Sequence, residues 1–143
     1  MLKTVTGRYQ CMTKVLRVGF IGVRPSNIRS TTAFFRDVLN LDILRDDPNW
    51  AILRLPTGPF DFVEVYAPDF SGGRLIPTGV DAMVAFTVAD PTTAHQEVRD
   101  AGIEVSALVR AQDAFSDPAL EGYGWFFLEA PDGNTYVIQQ VPA

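Results

Sequence analysis

Residues 83–102, MVAFTVADPTTAHQEVRDAG, spell out a strand, a helix start and a helix stop in that order. Val84, Phe86 and Val88 alternate with Ala85, Thr87 and Ala89 at the period of two that a strand requires. Asp90 stands where a helix cap belongs, its carboxylate able to accept from the first free N–H groups, and Pro91 follows at the position where a missing N–H costs nothing. Ala94, Val98 and Ala101 recur at i, i+4 and i+7 as one apolar stripe. Gly102 ends the helix, because glycine reaches the left-handed conformation that a helix terminus commonly uses.

The same events occur once before. In residues 20–40, FIGVRPSNIRSTTAFFRDVLN, Phe20 falls on Met83, Asn27 on Asp90, and Arg36-Asp37 on Arg99-Asp100 at a constant offset of 63. Asn27 is the cap, Ile28, Phe34, Phe35, Val38 and Leu39 supply an apolar face, and Asn40 takes the place of the terminal glycine. The chain therefore contains an internal duplication.

Outward from these two units, turn composition divides the rest. The first unit opens with a strand at 15–23 and continues after its helix with strands at 41–45, 50–55 and 61–66. The second opens at 82–88 and continues with strands at 104–110, 124–128 and 135–140, the last two joined by the hairpin turn Pro131-Asp132-Gly133-Asn134. Residues 67–81 are the linker, and residues 111–123, AQDAFSDPALEGY, read as a long loop, either solvated or covering a pocket.

A chain of 143 residues with 47% apolar content can bury a real core and has no disorder signature. No apolar run approaches the ~18 residues of a membrane span, and residues 1–13 lack the apolar centre of a secretory signal, so a cytoplasmic protein is expected. A net charge of −5 without clustered Lys or Arg argues against nucleic acid and anionic membranes as partners and leaves a small molecule. The single Cys11, in an N-terminal extension at 1–14, reads as an idle thiol.

Two strand–helix–three-strand units, with Asp-Pro after the second opening strand and PDGN before the last strand, resemble the vicinal oxygen chelate superfamily, the glyoxalase, bleomycin-resistance and ring-cleaving dioxygenase group. The resemblance covers residues 15–141 as a single domain made of modules 15–66 and 82–141. It implies an α+β fold in which two tandem βαβββ modules form a curved mixed sheet with helices outside, a homodimer, and ligands held inside the curve. In the enzymes of that group four side chains hold a divalent metal, one from the opening and one from the closing strand of each module. The matching positions here are Phe20, Glu64, Met83 and Val137, of which only Glu64 is a hard donor. Gln139, on the same face as Val137, would add one amide. His95, the one histidine, lies within the second helix as a surface or boundary residue. The expectation is no metal and no cofactor.

If the register of that family holds, strand alternation indicates which side chains line the curve in place of the metal ligands. Phe20 and Arg24 share a face, as do Phe62, Glu64 and Tyr66, while Met83 lies on the second opening strand and Val137 and Gln139 share a face on the last. With Trp50 and Trp125 as stacking walls or as core or dimer-contact residues, these ten side chains describe a mainly apolar, aromatic ligand site. Glu64 needs either a cationic partner, for which Arg24 and Arg54 are candidates, or a raised pKa. The resulting expectation is a metal-independent protein that sequesters an aromatic or amphipathic ligand. The alternatives are a lyase, isomerase or dioxygenase, metal-free with Glu64 as general base or with other metal ligands, and a dimerisation module with a vestigial pocket.

Overall fold

A computed structural model describes residues 13–72 and 76–142. The extension at 1–14, with Cys11, lies outside the described residues apart from Thr13 and Lys14. The chain divides into two compact units, residues 19–84 and residues 85–142 with 13–18.

In the first unit β1 (Arg17–Val23) leads into α1 (Ile28–Asp37), followed by β2 (Asp42–Asp46), β3 (Trp50–Arg54) and β4 (Phe62–Tyr66). The strand order is β2-β3-β4-β1; β1 and β4 are parallel and the other pairs antiparallel. Asn27 caps α1, its side chain accepting from Ser30 N at 3.1 Å, and Asn40 has φ of +57°, the left-handed conformation expected where the second unit has glycine. Ala51, Leu53, Val63 and Val65 form the core on one face of this sheet, against Ile28 and Phe35 of α1. The helix buries less of its apolar face than its sequence suggests. Phe34, Val38 and Leu39 are exposed, and Thr32 is the buried residue of the helix.

The second unit repeats the plan with β5 (Ala82–Thr87), α2 (Pro91–Asp100), β6 (Glu104–Val105), β7 (Val109–Arg110), β8 (Gly124–Glu129) and β9 (Thr135–Gln140). The order is β5-β9-β8-β6, with β7 also on β8. Asp90 caps α2 through Thr92 N and Thr93 N, and Gly102 has φ of +87°. Val88, Ala94, Phe126 and Ile138 form its core. Each unit is a mixed sheet with a helix on one face, the α+β arrangement read from the duplication.

Two expectations are corrected here. The strand at 104–110 is two short strands: Ser106 N still donates to Phe127 O at 2.8 Å, but its carbonyl meets His95 Nε2 at 2.7 Å and its hydroxyl, in place of the carbonyl, accepts from Phe127 N at 2.8 Å. Residues 111–123 are not simply loop but contain α3 (Ala111–Phe115) and a single 3-10 turn (Pro118–Leu120) capped by Asp117, with Ser116 left-handed between them. His95 itself is half-buried, edge-on to Phe126 at 4.9 Å, a boundary residue as its position implied. Among the described residues no helix is long and apolar enough to cross a membrane.

Candidate functional site

Register places the site on the face of the first sheet opposite α1. Phe20 lies level with Phe62 and Gly22 with Glu64 across the parallel pair, while Trp50 faces Tyr66 and Ile52 faces Glu64 across the antiparallel one. Side chains on a strand alternate, so sending Leu53, Val63 and Val65 to the helix sends Phe62, Glu64 and Tyr66 to the other side. Phe20, Trp50, Ile52 and Phe62 remain half-buried around a buried Glu64 and a fully buried Tyr66.

Among the described residues Glu64 has no cationic partner in direct contact. Trp50 Nε1 donates to its Oε1 at 2.9 Å, and the Tyr66 hydroxyl is its second hydrogen-bond partner. Burial drives its pKa up to about 7, against the opposing pull of Trp50, Tyr66 and the more distant charge of Arg45. The Tyr66 hydroxyl is likewise pushed well up, by its own burial first and by the neighbouring Glu64 next. Of the two alternatives for Glu64, a cationic partner in Arg24 or Arg54 or a raised pKa, the second is the one found. Arg24 is drawn away to the carbonyls of Ala67, at 2.9 Å, Pro68 and Pro77, with its guanidinium over the Tyr66 ring at 5.2 Å. Arg54 is an exposed residue opposite Phe62.

Arg45 belongs to the site without having been legible as such, whereas Gly22 shares the face of Phe20 and Arg24 by strand alternation. A register shift between Ile43 and Arg45 sets Arg45, rather than Leu44, beside Ile52, and its guanidinium stacks 4.1 Å over the Trp50 ring. Nothing in the alternation of 41–45 signals that bulge. Gly22 leaves the space that the Tyr66 ring fills: a Cβ there would lie 2.8 Å from Tyr66 Cε2.

In the second unit the equivalent register recurs, Ala85 with Val137 and Thr87 with Gln139, and Trp125 faces Gln139 as Trp50 faces Tyr66. Val137 thus stands where the first unit has Glu64. Gln139 is buried and donates to Thr87 Oγ1 at 3.2 Å, while Trp125 is half-buried. Met83 is buried in β5. Of the ten expected residues, Arg24, Trp50, Glu64 and Tyr66 form one contact network with Phe20 and Phe62 in register beside it; Trp125, Val137 and Gln139 form a separate group in the other unit.

These donors do not suit a divalent ion. Glu64 is the one carboxylate at the four matching positions, Phe20, Met83 and Val137 offer no hard donor, and no three His, Cys, Asp or Glu side chains gather among the described residues. Two grooves lie elsewhere. One of about 320 Å³ runs between α1 and the β2–β3 turn past Thr32, Arg36 and Asp46, and one of about 510 Å³ lies beside Phe86, Leu128 and Tyr136; neither includes Glu64.

No protein-family model matches the sequence, and no curated protein does. Solved structures do. Homoprotocatechuate 2,3-dioxygenase from Brevibacterium fuscum, in complex with 3,4-dihydroxyphenylacetate, superposes with a TM-score of 0.68 at 18% identity over 98% of this chain, which spans 41% of the dioxygenase. A glyoxalase/bleomycin resistance protein/dioxygenase superfamily member from Vibrio splendidus gives 0.60 at 20% identity, covering 86% of this chain and 97% of that one. A Legionella pneumophila protein called NAD-dependent benzaldehyde dehydrogenase gives 0.57 at 14% identity, with 84% and 96% covered. At these identities the likeness shows the fold.

Proposed function

We propose that this chain, which has the vicinal oxygen chelate fold, is a metal-independent small-molecule binding protein that holds an aromatic or amphipathic ligand against Phe20, Trp50, Phe62 and Glu64. The observation that carries this reading is a buried carboxylate poised near pH 7 within an otherwise apolar and aromatic face. Protonated, Glu64 can donate to a ligand acceptor; ionised, it accepts a ligand O–H or N–H. A hydrogen bond to a charged partner contributes about 1.5–3 kcal/mol, so it anchors a polar substituent while the rings supply contact area.

Tryptophan fluorescence and heat stability, with 3,4-dihydroxyphenylacetate and metal-free bleomycin as probes, test it. Expected are saturable binding without added metal, unchanged probe on chromatography, and roughly tenfold or greater weakening in Glu64→Gln, from the loss of that bond. If zinc, nickel, manganese or iron proves necessary for binding, the metal-independent reading fails. The second reading, Glu64 as a general base in a lyase, isomerase or dioxygenase, is favoured by the same pKa of about 7. It predicts instead a product that Glu64→Gln no longer makes although it still binds the probe.

The protein also acts as a homodimer in this reading. Phe34 and Val38 are 48% and 61% exposed, one turn apart at the end of α1, with Leu39 beside them. Sedimentation of wild type and Val38→Glu decides the point: a dimer that the charge dissociates is expected, and a monomeric wild type rules self-association out.

A further inference from the structure

After Tyr66 the chain leaves the sheet, and a single side chain grips both ends of the excursion. Arg24 Nη1 donates to Ala67 O at 2.9 Å and Pro68 O at 3.4 Å, while Nη2 donates to Pro77 O. Within that span Phe70 N bonds Ala67 O at 3.1 Å and Ile76 N bonds Ser71 O at 2.8 Å. The product of this geometry is the position of one ring. Phe70 lies 5.8 Å from Trp50 at 33° and 6.4 Å from Tyr66 at 31°, so it packs against both side chains that hold Glu64.

Phe70 is not a core residue. It is half-buried and stands outside every strand, and its segment is tied to the sheet through Ala67 N, which donates to Asn49 O at 2.9 Å, and through Arg24. Arg24 is itself incompletely satisfied, its buried Nε having no hydrogen-bond partner among the described residues. A ring on a segment outside the ladder moves at lower cost than Trp50 or Tyr66, whose backbones are paired in it.

We propose that Phe70 is a built-in occupant of an aromatic subsite on Trp50 and Tyr66, exchanged for a single aromatic ring of the ligand, with Arg24 as the positioning residue that holds it in place. The inference rests on the reading of the Glu64 face as a ligand site and names what that site takes. The subsite is phenyl-sized because a phenyl ring fills it. It favours a planar ring over a saturated one of equal size, because two tilted aromatic faces reward a matching π system. The two rings that line the subsite both hold Glu64, which favours a phenolic or anilino ring over an unsubstituted one.

The test uses phenol as probe and cyclohexanol as the saturated control. In a Trp125→Phe background Trp50 is the only tryptophan and reports the subsite directly. Phe70→Ala should shift Trp50 emission to the red, bind phenol at least tenfold more tightly than the protein with Phe70 in place, and recover the original emission as phenol saturates. Cyclohexanol should do none of this. Arg24→Lys, which keeps the charge but not the fork that spans both ends, should raise phenol affinity severalfold and shift Trp50 emission the same way. Phe70→Leu, which leaves part of the space filled, should fall between wild type and Phe70→Ala and serves if the alanine variant does not fold. Equal phenol affinity in the Phe70 variants and the parent overturns the proposal, as does equal binding of cyclohexanol. If wild type binds 3,4-dihydroxyphenylacetate while the Phe70 variants gain nothing for phenol, the exchange is wrong and the ligand site stands. If wild type binds no probe but Phe70→Ala binds phenol, the subsite stands and the binding function falls.

Discussion

Between pH 4.5 and pH 7 the protein should lose about 3 kcal/mol of stability that Glu64→Gln does not lose. Burial raises the folded-state pKa of Glu64 from 4.5 to about 7, so across that window the folded chain binds a proton that the unfolded chain has released. Stability from this group is therefore fully present below pH 4.5 and is lost as pH rises through 7. Glutamine keeps the shape and an acceptor oxygen for Trp50 but never ionises. Urea unfolding of both proteins at pH 5 and pH 8 measures the effect, and taking the difference between them cancels every other titrating group. The variant should be close to wild type at pH 5 and the more stable of the two at pH 8. Parallel pH profiles would mean that Glu64 is solvated, and the anchor role would go with its burial.

Gly22→Ala should cost about 1–3 kcal/mol, the usual effect of forcing an extra methyl into filled space. The sign is informative, because adding a Cβ to a glycine whose backbone tolerates it ordinarily stabilises by about 0.4–1 kcal/mol through the unfolded state. Here the new carbon would meet Tyr66 Cε2 at 2.8 Å and the Tyr66 oxygen at 3.2 Å. The ring cannot simply turn aside: it is 1% exposed, its hydroxyl bonds Glu64, and the Arg24 guanidinium covers its face. Displacing it should also remove one of the two donors on Glu64, raise that carboxyl's pKa further and weaken ligand binding. Denaturant unfolding together with a phenol titration checks both consequences. A Gly22→Ala protein as stable as wild type would show that Tyr66 has room to move and does not fix the site.

The parts of the site that were legible in the sequence are those governed by strand alternation. Phe62, Glu64 and Tyr66 share a face because any strand puts i, i+2 and i+4 on one side. Trp50 opposite Tyr66 needed only the correct strand ends. The parts that were not legible depend on irregularities. Arg45 reaches Trp50 through a bulge, Arg24 turns from Glu64 toward carbonyls of a segment without repetitive structure, and Phe70 comes from that same segment. Such placements follow from contacts distant in sequence, which no local period encodes. The exposed Phe34 and Val38 make the same point in reverse, since apolar spacing on a helix does not say how much of that face another element covers.

By itself, then, the amino-acid sequence determined the duplication, the caps at Asn27 and Asp90, the left-handed positions Asn40 and Gly102, and the faces on which the site residues lie. Each is a short-range consequence of backbone sterics, hydrogen bonding and side-chain period. Only the tertiary structure decided that Glu64 is held by an indole and a phenol instead of a guanidinium, and that Phe70 lies against both. The reason is physical: a buried carboxylate takes whichever donors packing brings within about 3 Å, and packing is set by Gly22, the bulge before Arg45 and the grip of Arg24, all of them acting across the fold.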